Sequence, residues 1–155
     1  MKPGSLLISL WCLSATGLVA AQVPRQSLGD PFVQVTSAIA ACPMPSPSLY
    51  TPDEARAQSH YRAERGTDCY LSGRCRLSNA YAYDTDIISR VQKYIRQDPR
   101  FANTSLWIEG QRRWVTLMGC VSTAQQQAAL ESAVRMVDDV ENVVSVLTIV
   151  APAAK

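Results

Sequence analysis

Few residues in this chain have the type and spacing to do chemistry. Outside the N-terminal apolar run stand four cysteines, Cys42, Cys69, Cys75 and Cys120, and one histidine, His60. Cys69 and Cys75 are spaced C-x5-C, which is not the C-x-x-C of a thiol redox enzyme. Nor does that spacing, with His60 upstream, give the close ligand pairs of a zinc site. His60 lies in a helical stretch and reads as an ordinary surface or packing residue. Asp84 and Asp86 open a helix and do not form a carboxylate pair for acid–base work. There is no glycine-rich phosphate loop and no nucleophile motif. The sequence therefore predicts no catalytic residue, no metal and no cofactor. An even number of cysteines in an exported chain predicts two disulfides, for which three pairings exist.

The remaining chemistry is cationic. The net charge is only +2, which does not suggest a nucleic-acid binder. The charge is uneven, however, with a mildly basic middle over residues 56–113. Arg90, Lys93 and Arg96, with Arg100 just beyond, line one side of a helix and could dock on anionic headgroups. Arg112-Arg113-Trp114 is a second candidate, because Trp and Arg together suit a membrane interface.

The elements that must position these residues follow from pattern. Lys2 and the apolar run Leu6 to Ala21, with Val19 and Ala21 at the −3 and −1 positions, predict a signal peptide over 1–21 cut before Gln22. The run is too short to span a bilayer, so no membrane span is expected after cleavage. Trp11 before Cys12 argues against a lipoprotein anchor, and Cys42 lies too far in to serve as one. Residues 22–49 carry alternating Pro43, Pro45 and Pro47 and are expected to form a flexible tether. Residues 50–83 form a cysteine-bearing helical extension. Its helix starts in the capping box Thr51-Pro52-Asp53-Glu54, is expected to end near Arg65 before Gly66, and leads into a disulfide-closed loop over 67–77.

From residue 84 to 150 the pattern is regular, followed by a tail over 151–155. Ile87, Ile88, Val91, Tyr94 and Ile95 recur at helical spacing until Pro99. Strands follow at Leu106–Glu109 and Trp114–Val121 around a turn over 110–113. Ser122 and Thr123, with Gln125 and Gln126, start a helix with apolar Leu130, Ala133, Val134 and Val137. Asp138 and Asp139 suit its end poorly on dipole grounds. The run Val143–Val150 closes the unit as a strand, parallel to its predecessor across a right-handed crossover.

This stretch resembles the BON domain, a bacterial envelope module. The resemblance rests on the apolar helix ending in Asp98-Pro99 and on Val115-Thr116-Leu117-Met118-Gly119-Cys120-Val121, similar to the family's V-x-L-x-G-x-V strand. It rests also on Val140, Val143, Leu147 and Ile149. Members usually carry a glycine where this chain has Asp139. The resemblance implies an α+β fold in αββαβ order, two helices on a three-stranded mixed sheet, with Gly119 as a structural glycine. It implies a periplasmic, non-enzymatic protein that binds phospholipid or envelope surfaces.

The strand pattern adds one expectation. Val115, Leu117, Gly119 and Val121 share the face toward the helices; Trp114, Thr116, Met118 and Cys120 share the other, joined by Trp107. That second face is too apolar to meet water. Its expected cover is the extension, through Tyr61, Tyr70, Leu71, Leu77 and Tyr81. Of the three pairings, Cys69–Cys75 as a local loop and Cys42–Cys120 as a long clamp fit that cover best. The competing reading leaves the Trp107/Trp114 face open as a protein-binding patch, making the chain an adaptor of an envelope or secretion assembly.

Overall fold

In a computed structural model, residues 23–150 are described. The expected signal peptide and the tail over 151–155 lie outside the described residues. The architecture is α+β, with a four-stranded mixed sheet. The strands are β1 (Phe32–Ser37), β2 (Ser105–Gln111), β3 (Trp114–Val121) and β4 (Asn142–Ile149), in spatial order β1-β2-β3-β4. The pairs β1–β2 and β2–β3 are antiparallel, and β3–β4 is parallel.

Two helices cover one sheet face. In α2 (Asp84–Gln97) Ile87, Ile88, Val91 and Ile95 form one buried stripe, and Pro99 prevents continuation. In α3 (Ala124–Arg135) Leu130, Ala133 and Val134 are buried, and Thr123 caps the first turn by accepting the Gln126 N–H. Val115, Leu117 and Val121 of β3 meet them from the sheet, with Leu106, Ile108 and Phe101. The core thus occupies the predicted side of the strands.

The fourth strand corrects the expectation of three. Residues 32–37, read as part of a flexible tether, pair along the outer edge of β2. Proline density around this stretch suggested an unpaired chain, but Val33 and Val35 alternate with Gln34 and Thr36. A bulge between Gln34 and Thr36 interrupts the ladder there. Arg96 donates to the Val35 and Gln34 carbonyls, and Gln92 to that of Gln34, so side chains from α2 clamp this strand.

The rest of the supposed tether is also fixed. Residues 38–48 run back across the far face of the sheet as a strap. At one end Cys42 is bonded to Cys120 of β3. At the other, the Ser48 N–H and Oγ donate to the two carboxylate oxygens of buried Glu109, each at 2.8 Å. A proline-rich extended chain needs no internal hydrogen bonds, so it can lie on an apolar sheet face once its ends are pinned.

The helix of the extension, α1 (Pro52–Leu71), differs from expectation in length and place. Its capping box forms as read from the sequence, but the helix passes straight through Gly66. Gly66 is buried, and a Cβ there would come within 2.6–2.8 Å of the Asn79 side chain. The glycine serves close packing and does not stop the helix. Tyr61, Tyr70, Leu71 and Leu77 stay exposed. They do not cover the far face; the strap takes that role. The helix instead packs on the 3-10 turn Ala80–Tyr83, with Arg62 paired to Asp30 and stacked over Tyr81. The second disulfide, Cys69–Cys75, closes the turn after α1.

Candidate functional site

The sequence singled out six cations and one tryptophan, and the structure divides them. On α2, Arg90 donates to the Asp138 carbonyl and pairs with Asp139 at 3.0 Å. Arg96 is held against β1. Arg100 forms a fork with Asp98, which holds that carboxyl below its usual range through the charged hydrogen bonds. Lys93 is exposed and, among the described residues, has no ion pair. Three of the four cations on this side are therefore spent inside the molecule.

Asp139 explains two oddities of the sequence. Its φ is +70°, a left-handed backbone that favours glycine, so the departure from the glycine expected there is a strained one. Here an acid occupies the position and gathers Arg76 and Arg90 on its carboxylate, while the Arg113 Nε–H donates to its carbonyl. Asp138 and Asp139 follow the end of α3 and act as an anchor for cations from three other segments.

The hairpin end is built differently. The turn is tighter than expected, with β2 reaching Gln111 and only Arg112 and Arg113 left as loop. Both have positive φ, +55° and +64°, as a two-residue I′ turn demands, where Asn and Gly are usual. The strain is held by Asp84 at the start of α2. Its two carboxylate oxygens accept the Arg112 and Arg113 N–H groups, each at 2.7 Å. From its position in the sequence Asp84 reads only as a helix start; its burial beneath the turn comes from the fold.

With the backbone fixed, the side chains have set places. Arg113 points inward, over the Tyr83 ring and 2.9 Å from Cys75 Sγ. Arg112 stacks over the Trp114 ring at 5.1 Å and forms no ion pair among the described residues. Trp114 is 36% exposed, whereas Trp107 is buried at 6%. Arg65, Arg74 and Arg112 surround a polar notch of about 70 Å³ shared with Asp68 and Glu141. His60 is exposed on α1 beside Glu64. Among the described residues, no group of three or more His, Cys, Asp or Glu side chains could hold a metal ion.

Asp84 gives this turn a pH signature. Burial pushes its carboxyl up to about 6, against the two N–H bonds that favour the charge. The folded chain therefore binds a proton that the unfolded chain releases between about pH 4 and 6. The contribution of this group to stability rises as pH falls through that window. Asp84→Asn should abolish this dependence. It should also cost about 1–3 kcal/mol at pH 7, because an amide presents one acceptor and one donor to two N–H groups. Carboxyl NMR titration and urea unfolding at pH 5 and 7 would check both.

The fold and site define a small α+β sandwich with a rigid cationic hairpin end. Residues 83–151 match the family model described as the BON domain, so the chain carries a BON domain over that stretch. That family is envelope-associated and generally non-enzymatic. No curated protein and no solved structure matches the chain. Among the described residues, no helix is long and apolar enough to cross a membrane.

Proposed function

We propose that this protein works in the periplasm, after export by its N-terminal signal, by binding anionic phospholipid at an envelope surface and so contributing to envelope integrity. The contact is made by the hairpin end, with Arg112 and Trp114 foremost and Lys93 as the accessory cation of α2. The observation that carries this reading is the Arg112–Trp114 stack on a turn locked by Asp84. It places a guanidinium with no ion pair among the described residues and a partly exposed indole together on a pre-organised turn. Such a pair suits the headgroup level of a membrane, where an amphipathic ring and a cation are both satisfied.

The basic side of α2 supports binding less, because Arg90, Arg96 and Arg100 are engaged within the fold. Co-sedimentation with vesicles rich in phosphatidylglycerol separates the two surfaces. Arg112→Glu should weaken binding roughly tenfold, from about 1 kcal/mol for the lost cation and further repulsion. Lys93→Glu should have a smaller effect, and raised salt should weaken the wild type. Binding unaffected by Arg112→Glu, or equal binding to neutral vesicles, would remove the reading. A protein partner lost on Trp114→Ala would then favour the adaptor role; with Trp107 buried, Trp114 alone could serve it.

A further inference from the structure

The far face of the sheet is only partly closed. The strap crosses it between Cys120 and Glu109, over the β2–β3 side. On the β4 side Val144 and Val146 stay open, the latter 61% exposed, and Met44 of the strap is 72% exposed above them. Between strap and strand lies a cavity of about 180 Å³, lined by Met44, Pro45, Met118, Val146 and Thr148 among others. That is about six water volumes. By the strand register, Trp114, Thr116, Met118 and Cys120 share this face with Val144, Val146 and Thr148. An apolar strip therefore runs from the hairpin end to the mouth of the cavity.

We infer that this strip is a groove for one acyl chain of an anionic phospholipid, with Arg112 at its entrance to hold the headgroup. The inference rests on the surface-binding reading above and adds a lipid-tail site to it. Dimensions support the assignment. Trp114 to Cys120 spans about 20 Å at 3.3 Å per residue, against about 15 Å for the acyl region of one bilayer leaflet. Chemistry supports it too. Along β3 and β4 the strip carries no charged side chain, and Glu109 of β2 beside Thr116 is buried and capped by Ser48. The hairpin end carries Arg112, stacked on Trp114 and without an ion pair among the described residues. A ligand matching that distribution is anionic at one end and apolar beyond it. The strap forms the roof, and Met44 and Met118 supply side chains that adjust to an irregular occupant.

The test is titration of the oxidised protein with lyso-phosphatidylglycerol below its micelle concentration, followed by tryptophan emission. Vesicle co-sedimentation is run in parallel. The expected result is a saturable blue shift at one lipid per chain, with lyso-phosphatidylcholine at least tenfold weaker. Val146→Glu and Met44→Glu alter exposed positions and should fold; each should weaken the lyso-lipid at least tenfold while changing vesicle binding less than twofold. Arg112→Glu should weaken both. Wild-type affinity in both groove variants, equal affinity for the neutral lyso-lipid, or uptake of many lipids per chain would overturn the groove. Loss of vesicle binding in the wild type, with lyso-lipid binding intact, would instead overturn the surface reading and leave the groove standing.

Discussion

Gly119→Ala should destabilise the domain by roughly 2–6 kcal/mol, a large share of the 5–15 kcal/mol that holds a typical domain together. Two separate causes act at this position. Its φ is +112°, outside the range that L side chains adopt readily, at about 1–3 kcal/mol. An added Cβ would also lie 2.2 Å from the Ser105 carbonyl oxygen and 3.1 Å from the Trp107 ring, an overlap costing about 1–3 kcal/mol more. The neighbour at 2.2 Å is backbone of the paired strand β2, so it cannot rotate away. Gly73→Ala is the control. Gly73 has a similar positive φ, +72°, but nothing stands within 4 Å of its Cβ position. It should therefore lose only the backbone part, about 1–2 kcal/mol. Urea unfolding of the two variants beside the wild type would show whether the close approach or the backbone alone requires glycine in the strand. Equal losses would mean that the hairpin relaxes around the new methyl group.

Elements whose identity depends on their own period were legible in the sequence. The stripe Ile87, Ile88, Val91, Ile95 announces α2, and the alternation from Val115 to Val121 assigns both faces of β3, because each pattern carries its partner surface with it. The cysteine pairing was within reach for the same reason. Once Cys120 falls on the face away from the helices, a partner must come over that face. The strand β1 was not legible, since a six-residue segment between prolines becomes a strand only when an open edge is beside it. The nature of the cover was missed as well. The aromatic residues of α1 looked like the material for it, whereas a polyproline-like chain with pinned ends lies flatter and leaves α1 to pack elsewhere. Gly66 misled because a glycine inside a helix and a glycine after one look alike until the neighbour, here Asn79, is known.

The candidate site shows a sharper boundary. The sequence displays cations and gives no sign of what they touch. Arg90, Arg96 and Arg100 share a helix side by spacing, but their partners are an aspartate after α3, two carbonyls of β1 and an acid two residues away. Only the last was available from local sequence. Conversely, Asp84 reads as helix-start chemistry, yet its carboxylate is the brace that lets two arginines occupy a turn built for asparagine and glycine. One signal did point there: an Arg-Arg pair where a two-residue hairpin turn falls is locally unfavourable, and such a conflict implies a compensating contact. The misfit of Asp139 after α3 was a signal of the same kind, and the structure answers it with two arginines.

Removing the Cys42–Cys120 bond, as Cys42→Ala/Cys120→Ala, should cost roughly 4 kcal/mol and uncover part of the sheet. The bonded residues are 78 apart, so closing this loop restricts the unfolded chain far more than Cys69–Cys75, which spans 6. The loop-closure relation gives about 4.5 kcal/mol for the first and about 2 kcal/mol for the second. The long bond also has a structural role that the short one lacks. It fixes the strap to β3, and without it the chain across Trp107 and Met118 is held only at its two ends, by Ile39 on Ser105 and by Ser48 on Glu109. Trp107 lies between Ser105 and Glu109 on that face, so release of the strap should expose it and shift tryptophan emission to the red at low denaturant, before global unfolding. Cys69→Ala/Cys75→Ala should lower stability less and leave Trp107 buried, its disturbance confined to the Arg113 side of the hairpin. If the long-bond variant lost stability with no early red shift, the hydrogen bonds at its two ends and its packing would suffice to hold the strap, and the bond would act only on the unfolded chain. An early shift would instead make the strap a separately opening unit, whose opening bares the apolar strip beneath it.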